Sequence, residues 1–214
     1  MASTAKFWDK IAERYAKKPI ADENAYQEKL QLTRQYLNRE MEVFEFGCGT
    51  GSTALLHASS VKHIYATDIS AKMIEIAKRK AALEKISNVT FEQTSFEDIT
   101  PKDSSFDVVL GLSILHLLDN KEAAIAKVYR MLKPGGVFVT STACIADTMR
   151  LFKIVAPIGR FFGLIPFVSV FTTRELLNAL THPGFKIDYQ WQPAKGKGVF
   201  IVAKKPDLSR SEEI

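Results

Sequence analysis

The chain carries only two cysteines, Cys48 and Cys144, in 214 residues. Two widely separated thiols indicate neither a disulfide framework nor a cysteine-based zinc site, and they set a reducing cytoplasm as the expected compartment. No metal site is expected. The N-terminus, Met1-Ala-Ser-Thr-Ala-Lys-Phe-Trp-Asp-Lys10, lacks an apolar core segment among its charges, which argues against a secretory signal. An uninterrupted apolar run of spanning length is missing as well. The stretch Leu151–Phe171 is apolar enough to suggest one, but Lys153, Pro157, Arg160 and Pro166 break it, and a spanning helix is not the expected reading. The basic excess, 29 Lys and Arg against 24 Asp and Glu with a pI near 9.1, has no aromatics interleaved with it to stack on bases. Lys78-Arg79-Lys80 falls on a predicted helix and Lys204-Lys205 at a strand end, so solvated faces rather than nucleic-acid contacts are expected. Nothing marks a second domain, and the length suits one domain spanning 1–214.

What the chain does have is the run Val43-Phe-Glu-Phe-Gly-Cys-Gly-Thr-Gly51, a short apolar β-type segment that stops at alternating glycines before a helical pattern. Glycines at 47, 49 and 51 allow a turn of positive φ against which a ligand can lie. In open α/β sheets this crevice, beyond the carboxyl end of the first strand, receives nucleotide-like ligands. The dinucleotide fingerprint wants glycine or alanine at position 52, where this chain has serine. A second acidic marker follows. Asp68 ends the predicted strand His63–Thr67, close to the spacing from Gly49 at which a carboxylate reaches ribose hydroxyls. Its alternative role, capping the next helix, is already filled by Ser70.

Glu45-Phe-Gly-Cys-Gly-Thr-Gly51 resembles motif I of the class I S-adenosylmethionine-dependent methyltransferases, in particular the small-molecule branch that includes quinone-biosynthesis methyltransferases. Further segments agree in order: Tyr65-Ala-Thr-Asp-Ile-Ser70, Ser95-Phe-Glu-Asp-Ile99, Ser105-Phe-Asp-Val-Val109 and Leu132-Lys-Pro-Gly-Gly136. The resemblance covers about residues 40–143. It implies a doubly wound, Rossmann-like α/β domain with a mostly parallel seven-stranded sheet in the order 3-2-1-4-5-7-6 and an antiparallel edge strand. It also implies methyl transfer from S-adenosylmethionine, with S-adenosylhomocysteine as product, to a small, partly apolar or lipid-like acceptor. A methyltransferase-like binding protein without catalysis, acting as a regulatory or assembly partner, is the alternative. A nicotinamide-dependent oxidoreductase is a weaker third.

The resemblance places a lid helix at residues 4–17, within N-terminal lid helices spanning 1–40, and brings Tyr15 to the methionine part of the cofactor. Phe7, Trp8, Ile11, Ala12 and Tyr15 recur at helical spacing, so plain packing on the sheet stays open beside that role. The implied cofactor-binding set is Tyr15, Glu45, Gly47, Gly49, Gly51, Asp68, Ile69, Met73, Ser95, Phe96 and Leu112. The helix from Thr50 to Ala58 offers free N–H groups to the methionine carboxylate. Ser95 and Phe96 stand where the family commonly has Asp-Ala against the adenine, so ring stacking by Phe96 is expected in its place. Met73 faces inward near the cofactor or is ordinary core.

After the strand Phe106–Leu112, Gly111-Leu-Ser-Ile-Leu-His116 lacks the Asn/Asp-Pro-Pro-aromatic pattern of nucleobase and protein-amide methyltransferases, which favours a small-molecule acceptor. His116 is the candidate catalytic residue, because among His57, His63, His116 and His182 it alone is expected at the carboxyl edge of the sheet. A surface or capping role for it stays open. The other predicted elements are helices over 23–39, 70–83, 121–132 and 172–180, and strands over 88–93, 137–142, 185–191 and 199–203. The core is expected over 41–143, an apolar cap over 144–171, substrate-side elements over 172–214 and a frayed tail from Leu208. Leu151–Phe171 is read either as packing on the sheet or as a lid over the acceptor, touching a membrane surface peripherally through Lys153 and Arg160.

Overall fold

The computed structural model describes residues 2–149 and 167–207. Its seven strands form one sheet in the order β3-β2-β1-β4-β5-β7-β6, numbered along the chain, and the chain divides into two compact units, residues 1–100 and 101–214. The expected strand order is the one found.

In the first unit, β1 (Glu42–Phe46), β2 (His63–Asp68) and β3 (Val89–Gln93) are parallel, with Phe46 opposite Thr67 and Asp68 opposite Gln93. Each needs a crossover, and helices α3 (Ser52–His57) and α4 (Ala71–Glu84) supply them. Ahead of β1 lie α1 (Ala2–Lys17) and α2 (Glu23–Arg34), the latter capped by Asp22, whose carboxylate accepts from the Ala25 N–H. The helix expected over 23–39 stops at Arg34 because the next residues form 3-10-type turns and Asn38 then accepts from the Glu40 N–H. A side chain that bonds its own neighbouring backbone competes with helix continuation. Helix α1 lies on α4. Ala12 sits against Met73 and Ile76, with Trp8 and Ala16 packed beside them.

In the second unit, β4 (Phe106–Leu112) runs parallel to β5 (Leu132–Thr142), and β7 (Val199–Lys204) is antiparallel to both β5 and β6 (Lys186–Trp191). Flanked on both sides, β7 reads Val-Phe-Ile-Val-Ala, five consecutive buried residues. The fifth strand starts earlier than its expected Val137. Leu132 pairs with Phe106 and Val137 with Val108, so Lys133–Gly136 bulge out between two ladder positions, and Lys133 Nζ meets both carboxylate oxygens of Asp107 at 2.9 and 2.8 Å. Helix α5 (Lys121–Met131) is capped by Asn120, and α6 (Thr173–Thr181) by a reciprocal Thr172–Glu175 capping box. Of the apolar stretch Leu151–Phe171, only the last five residues fall within the described residues. Lys153, Arg160 and the tail from Leu208 lie outside them. Among the described residues no helix is long and apolar enough to cross a membrane.

His57, at the end of α3, is fully buried, and neither ring nitrogen has a partner among the described residues. Burial, and then the charge of Arg34, push its pKa down to about 4. A depressed histidine stabilises the fold when neutral, so its contribution is intact above the unfolded value near 6.5 and is lost as pH falls toward 4. That interval is worth roughly 3 kcal/mol. In urea titrations, a His57→Leu variant is therefore expected to gain about that much on the parent between pH 7.5 and pH 4. Parallel pH profiles would show that His57 protonates without cost.

Candidate functional site: a glycine turn between two carboxylates

The turn after β1 takes its shape from three glycines of positive φ, Gly47 at 64°, Gly49 at 54° and Gly51 at 74°. A Cβ built on Gly49 would meet nothing within 4 Å, so the turn presents bare backbone there. Gly51 is tight for a different reason. Its Cβ would stand 2.7 Å from Phe91 Cζ and 2.8 Å from Ala77 Cβ, so only glycine lets the start of α3 nest against α4 and β3. From α4, Lys80 Nζ donates to Thr50 Oγ1 and Ser52 Oγ, both at 3.0 Å, and ties the outer side of the turn. The Cys48 thiol is buried and held well above its usual pKa, which leaves it inert as a nucleophile.

Two carboxylates flank the turn. Asp68 Oδ2 accepts from the Gly49 N–H and Oδ1 from the Ser70 N–H, both at 2.9 Å, so its plane is fixed by backbone on either side. Burial raises its pKa, and these two bonds partly offset the shift. Glu45 is 2% exposed on β1, and its Oε2 has no partner among the described residues. Burial first, and then the charge of Asp68, push Glu45 up to about 8. A buried carboxyl with an orphaned oxygen fits a ligand that brings a cation to it, because pairing would restore the ionised form. The Tyr15 phenol is raised by partial desolvation and then by the charge of Asp68, although the residue stays 49% exposed. Tyr26, on α2, has its hydroxyl 3.4 Å from Thr53 Oγ1 and is raised by burial, with the charge of Glu45 adding to the shift. The combination suits S-adenosylmethionine, which carries an ammonium, a sulfonium and a ribose diol.

The remaining expected residues divide. Ile69 follows Asp68 in the turn and its carbonyl accepts from Gln93 Nε2 at 3.4 Å. Met73 is 2% exposed and packs with Ala12 of α1 and with Ile76, in keeping with the core alternative left open for it. Phe96 is also buried, and its ring stacks on that of Phe46 at 4.2 Å and on that of Phe44 at 6.0 Å, so one face expected for the adenine is occupied by core. Ser95 donates to Asp98 Oδ2 at 2.7 Å, which puts a carboxylate back into this loop three residues later than the family pattern has it. Asp98, Lys80, Tyr26 and Asp9 were missed by sequence reasoning. Only Asp98 had a signal, as one of the two acidic residues, with Glu97, inside the quoted Ser95–Ile99 segment.

Leu112 and His116 belong to the second unit. Leu112 ends β4 opposite Ser141, and Ser113 then turns with a φ of 58°. His116 follows in a 3-10 turn, Leu115–Leu117, with Nδ1 2.9 Å from Thr142 Oγ1, which also accepts from the His116 N–H at 3.2 Å. Its carbonyl accepts from the Ser169 N–H at 2.8 Å. Burial pushes the imidazole down to about 4, so it is neutral at pH 7. The carboxyl ends of β4 and β5 thus meet at the His116–Thr142 pair.

The family described as Methyltransferase domain matches residues 37–179. The chain belongs to that family and is an S-adenosylmethionine-dependent methyltransferase. It is 31% identical to a demethylmenaquinone methyltransferase of Leptospira interrogans, over 82% of this chain and 83% of that one. To a malonyl-[acyl-carrier protein] O-methyltransferase of Priestia megaterium it is 29% identical, over 86% of this chain and 72% of the relative. Among solved structures it resembles the geranyl diphosphate C-methyltransferase of Streptomyces coelicolor at a TM-score of 0.74, with 16% identity over 95% and 97% of the two chains. At that identity the likeness speaks to the fold.

Proposed function

We propose that the chain methylates a small, partly apolar acceptor held at the carboxyl ends of β4 and β5, with the cofactor in the turn between Glu45 and Asp68. The orphaned Glu45 oxygen is the observation that carries the cofactor placement. S-adenosylmethionine supplies a methyl group already activated on a sulfonium, so the protein's task is mostly to orient, and well-aligned reactants reach effective molarities of about 10⁵ to 10⁸ M. Asp68, held in plane by Gly49 and Ser70, takes the ribose hydroxyls, Glu45 pairs with the ammonium, and Tyr15 lies along the methionine part. Asp98 accepts from the exocyclic amine of the adenine.

His116, neutral and anchored by Thr142, accepts a hydrogen bond from the acceptor and aims its nucleophilic atom. An imidazole with a pKa near 4 is a weak base at pH 7, so orientation outweighs proton removal in its contribution. The acceptors named for the relatives, a malonyl-acyl carrier protein, demethylmenaquinone and geranyl diphosphate, supply the first assay panel. With labelled methyl donor, one member of such a panel is expected to take up label with release of S-adenosylhomocysteine. His116→Ala should then lower turnover by roughly 10- to 100-fold, at the low end of general acid–base effects, with S-adenosylhomocysteine affinity kept within about twofold. Unchanged turnover, or an equal fall in cofactor affinity, would remove His116 from the acceptor site.

A further inference from the structure

Asp9, on α1, lies 61 residues before Ser70 in the chain, yet the Ser70 hydroxyl donates to Asp9 Oδ1 at 2.6 Å and the Lys72 N–H donates to the same oxygen at 3.0 Å. Ser70 is the N-cap of α4. Its Oγ accepts from the Met73 N–H at 3.1 Å, and its own N–H holds Asp68 Oδ1 at 2.9 Å. The other Asp68 oxygen is held by Gly49. An unbroken series of hydrogen bonds therefore runs from α1 through Asp9, Ser70 and Asp68 into the glycine turn. The Ser70 bond, followed by the Lys72 bond, holds the Asp9 carboxyl below its ordinary pKa, as expected for an ionised acceptor at the start of a helix. Alongside, Glu13 reaches Arg79 at 3.5 Å between two exposed side chains, a pair that contributes little.

We propose that Asp9 is a positioning residue for the cofactor: it docks α1 on α4 and, through Ser70, holds Asp68 in the plane that meets the ribose. A serine hydroxyl has one proton to donate. Given to Asp9, that proton leaves the oxygen's lone pairs for the Met73 N–H and settles the Asp68–Ile69–Ser70 turn in one arrangement. Without Asp9 the hydroxyl turns freely, the cap loosens, and α1 keeps only its apolar cluster and the exposed ion pair. Since binding free energies are reciprocal, a cofactor that gains from an ordered Asp68 must in turn favour the docked α1. The inference rests on the cofactor site proposed above.

The test compares the full chain with Asp9→Ala, Asp9→Asn and Arg79→Ala. S-adenosylhomocysteine binding is measured by calorimetry, amide exchange over residues 2–17 with and without that ligand, and thermal unfolding of each protein alone. In the parent, the ligand should slow exchange in α1. Asp9→Ala should bind about tenfold more weakly, inside the usual range of coupling between sites, and lose that slowing. Asp9→Asn, whose amide oxygen can accept both bonds, should recover most of the affinity, and Arg79→Ala should stay within about twofold of the parent. Parental affinity in Asp9→Ala, or equal weakening in all three variants, would overturn the positioning role. A parent that binds no S-adenosylhomocysteine would overturn the reading of the site, and the inference with it.

Discussion

An Asp68→Ala variant is expected to bind S-adenosylmethionine and S-adenosylhomocysteine more weakly than the parent by about 2 to 5 kcal/mol, roughly 30-fold to a few thousandfold in Kd. A carboxylate can accept from both hydroxyls of a ribose at once, and alanine offers neither acceptor. A second loss comes with it. The Gly49 and Ser70 N–H groups lose their partner, so the glycine turn and the cap of α4 are released together. Asp68→Asn keeps one acceptor oxygen and should fall between the two. Calorimetry on the three proteins, with NAD as the comparison ligand, decides the matter. If Asp68→Ala binds as the parent does, or if the parent prefers NAD, the carboxylate does not serve a ribose in this turn.

Gly51→Ala is expected to be the most damaging single methyl group added to the turn, costing about 2 to 5 kcal/mol of stability. Roughly 1 to 2 kcal/mol follows from holding an L-residue at positive φ, and about 1 to 3 from overpacking a filled site. Neither neighbour can yield cheaply, because Phe91 is 5% exposed on β3 and Ala77 is fully buried on α4, so a shift of the methyl group means a shift of the helix. Gly49→Ala supplies the contrast. It carries the backbone cost without the collision, and should lose less stability while losing ligand affinity, since its methyl group would stand on the open side of the turn. Urea midpoints for the two variants within error of each other would contradict this division.

The legible part of the molecule was the part written as local pattern. Alternating glycines after an apolar run gave away the turn, the spacing to Asp68 gave its acidic partner, and Ser70 could be read as a cap before its hydrogen bond to Met73 was seen. Strand order followed from the resemblance, not from periodicity. What stayed hidden depends on side chains meeting across long separations. Asp9 and Lys80 look like ordinary charges on solvated helix faces, and no period marks the one that turns inward to Ser70 or back to Thr50. Phe96 is read from its position in a motif, and nothing in that position shows that its ring packs on Phe44 and Phe46. The early start of β5 was hidden because Pro134-Gly135-Gly136 reads as a turn, and here it is a bulge within a continuing ladder.

The place of β7 bears on how the protein is made. Its ladder partners are β5 on one side and β6 on the other, so a strand read out after both of its neighbours fills an interior position in the sheet. While a ribosome is still translating the region before Val199, the edge of β5 from Val137 to Thr142 has no antiparallel neighbour, and that edge is apolar along half its length. Unpaired strands of this kind template association with other chains. The nascent second unit therefore passes through an interval in which its sheet cannot close, however long its earlier elements have been available, and closure waits on six residues. Chaperone demand and losses to aggregation during expression should concentrate in that interval.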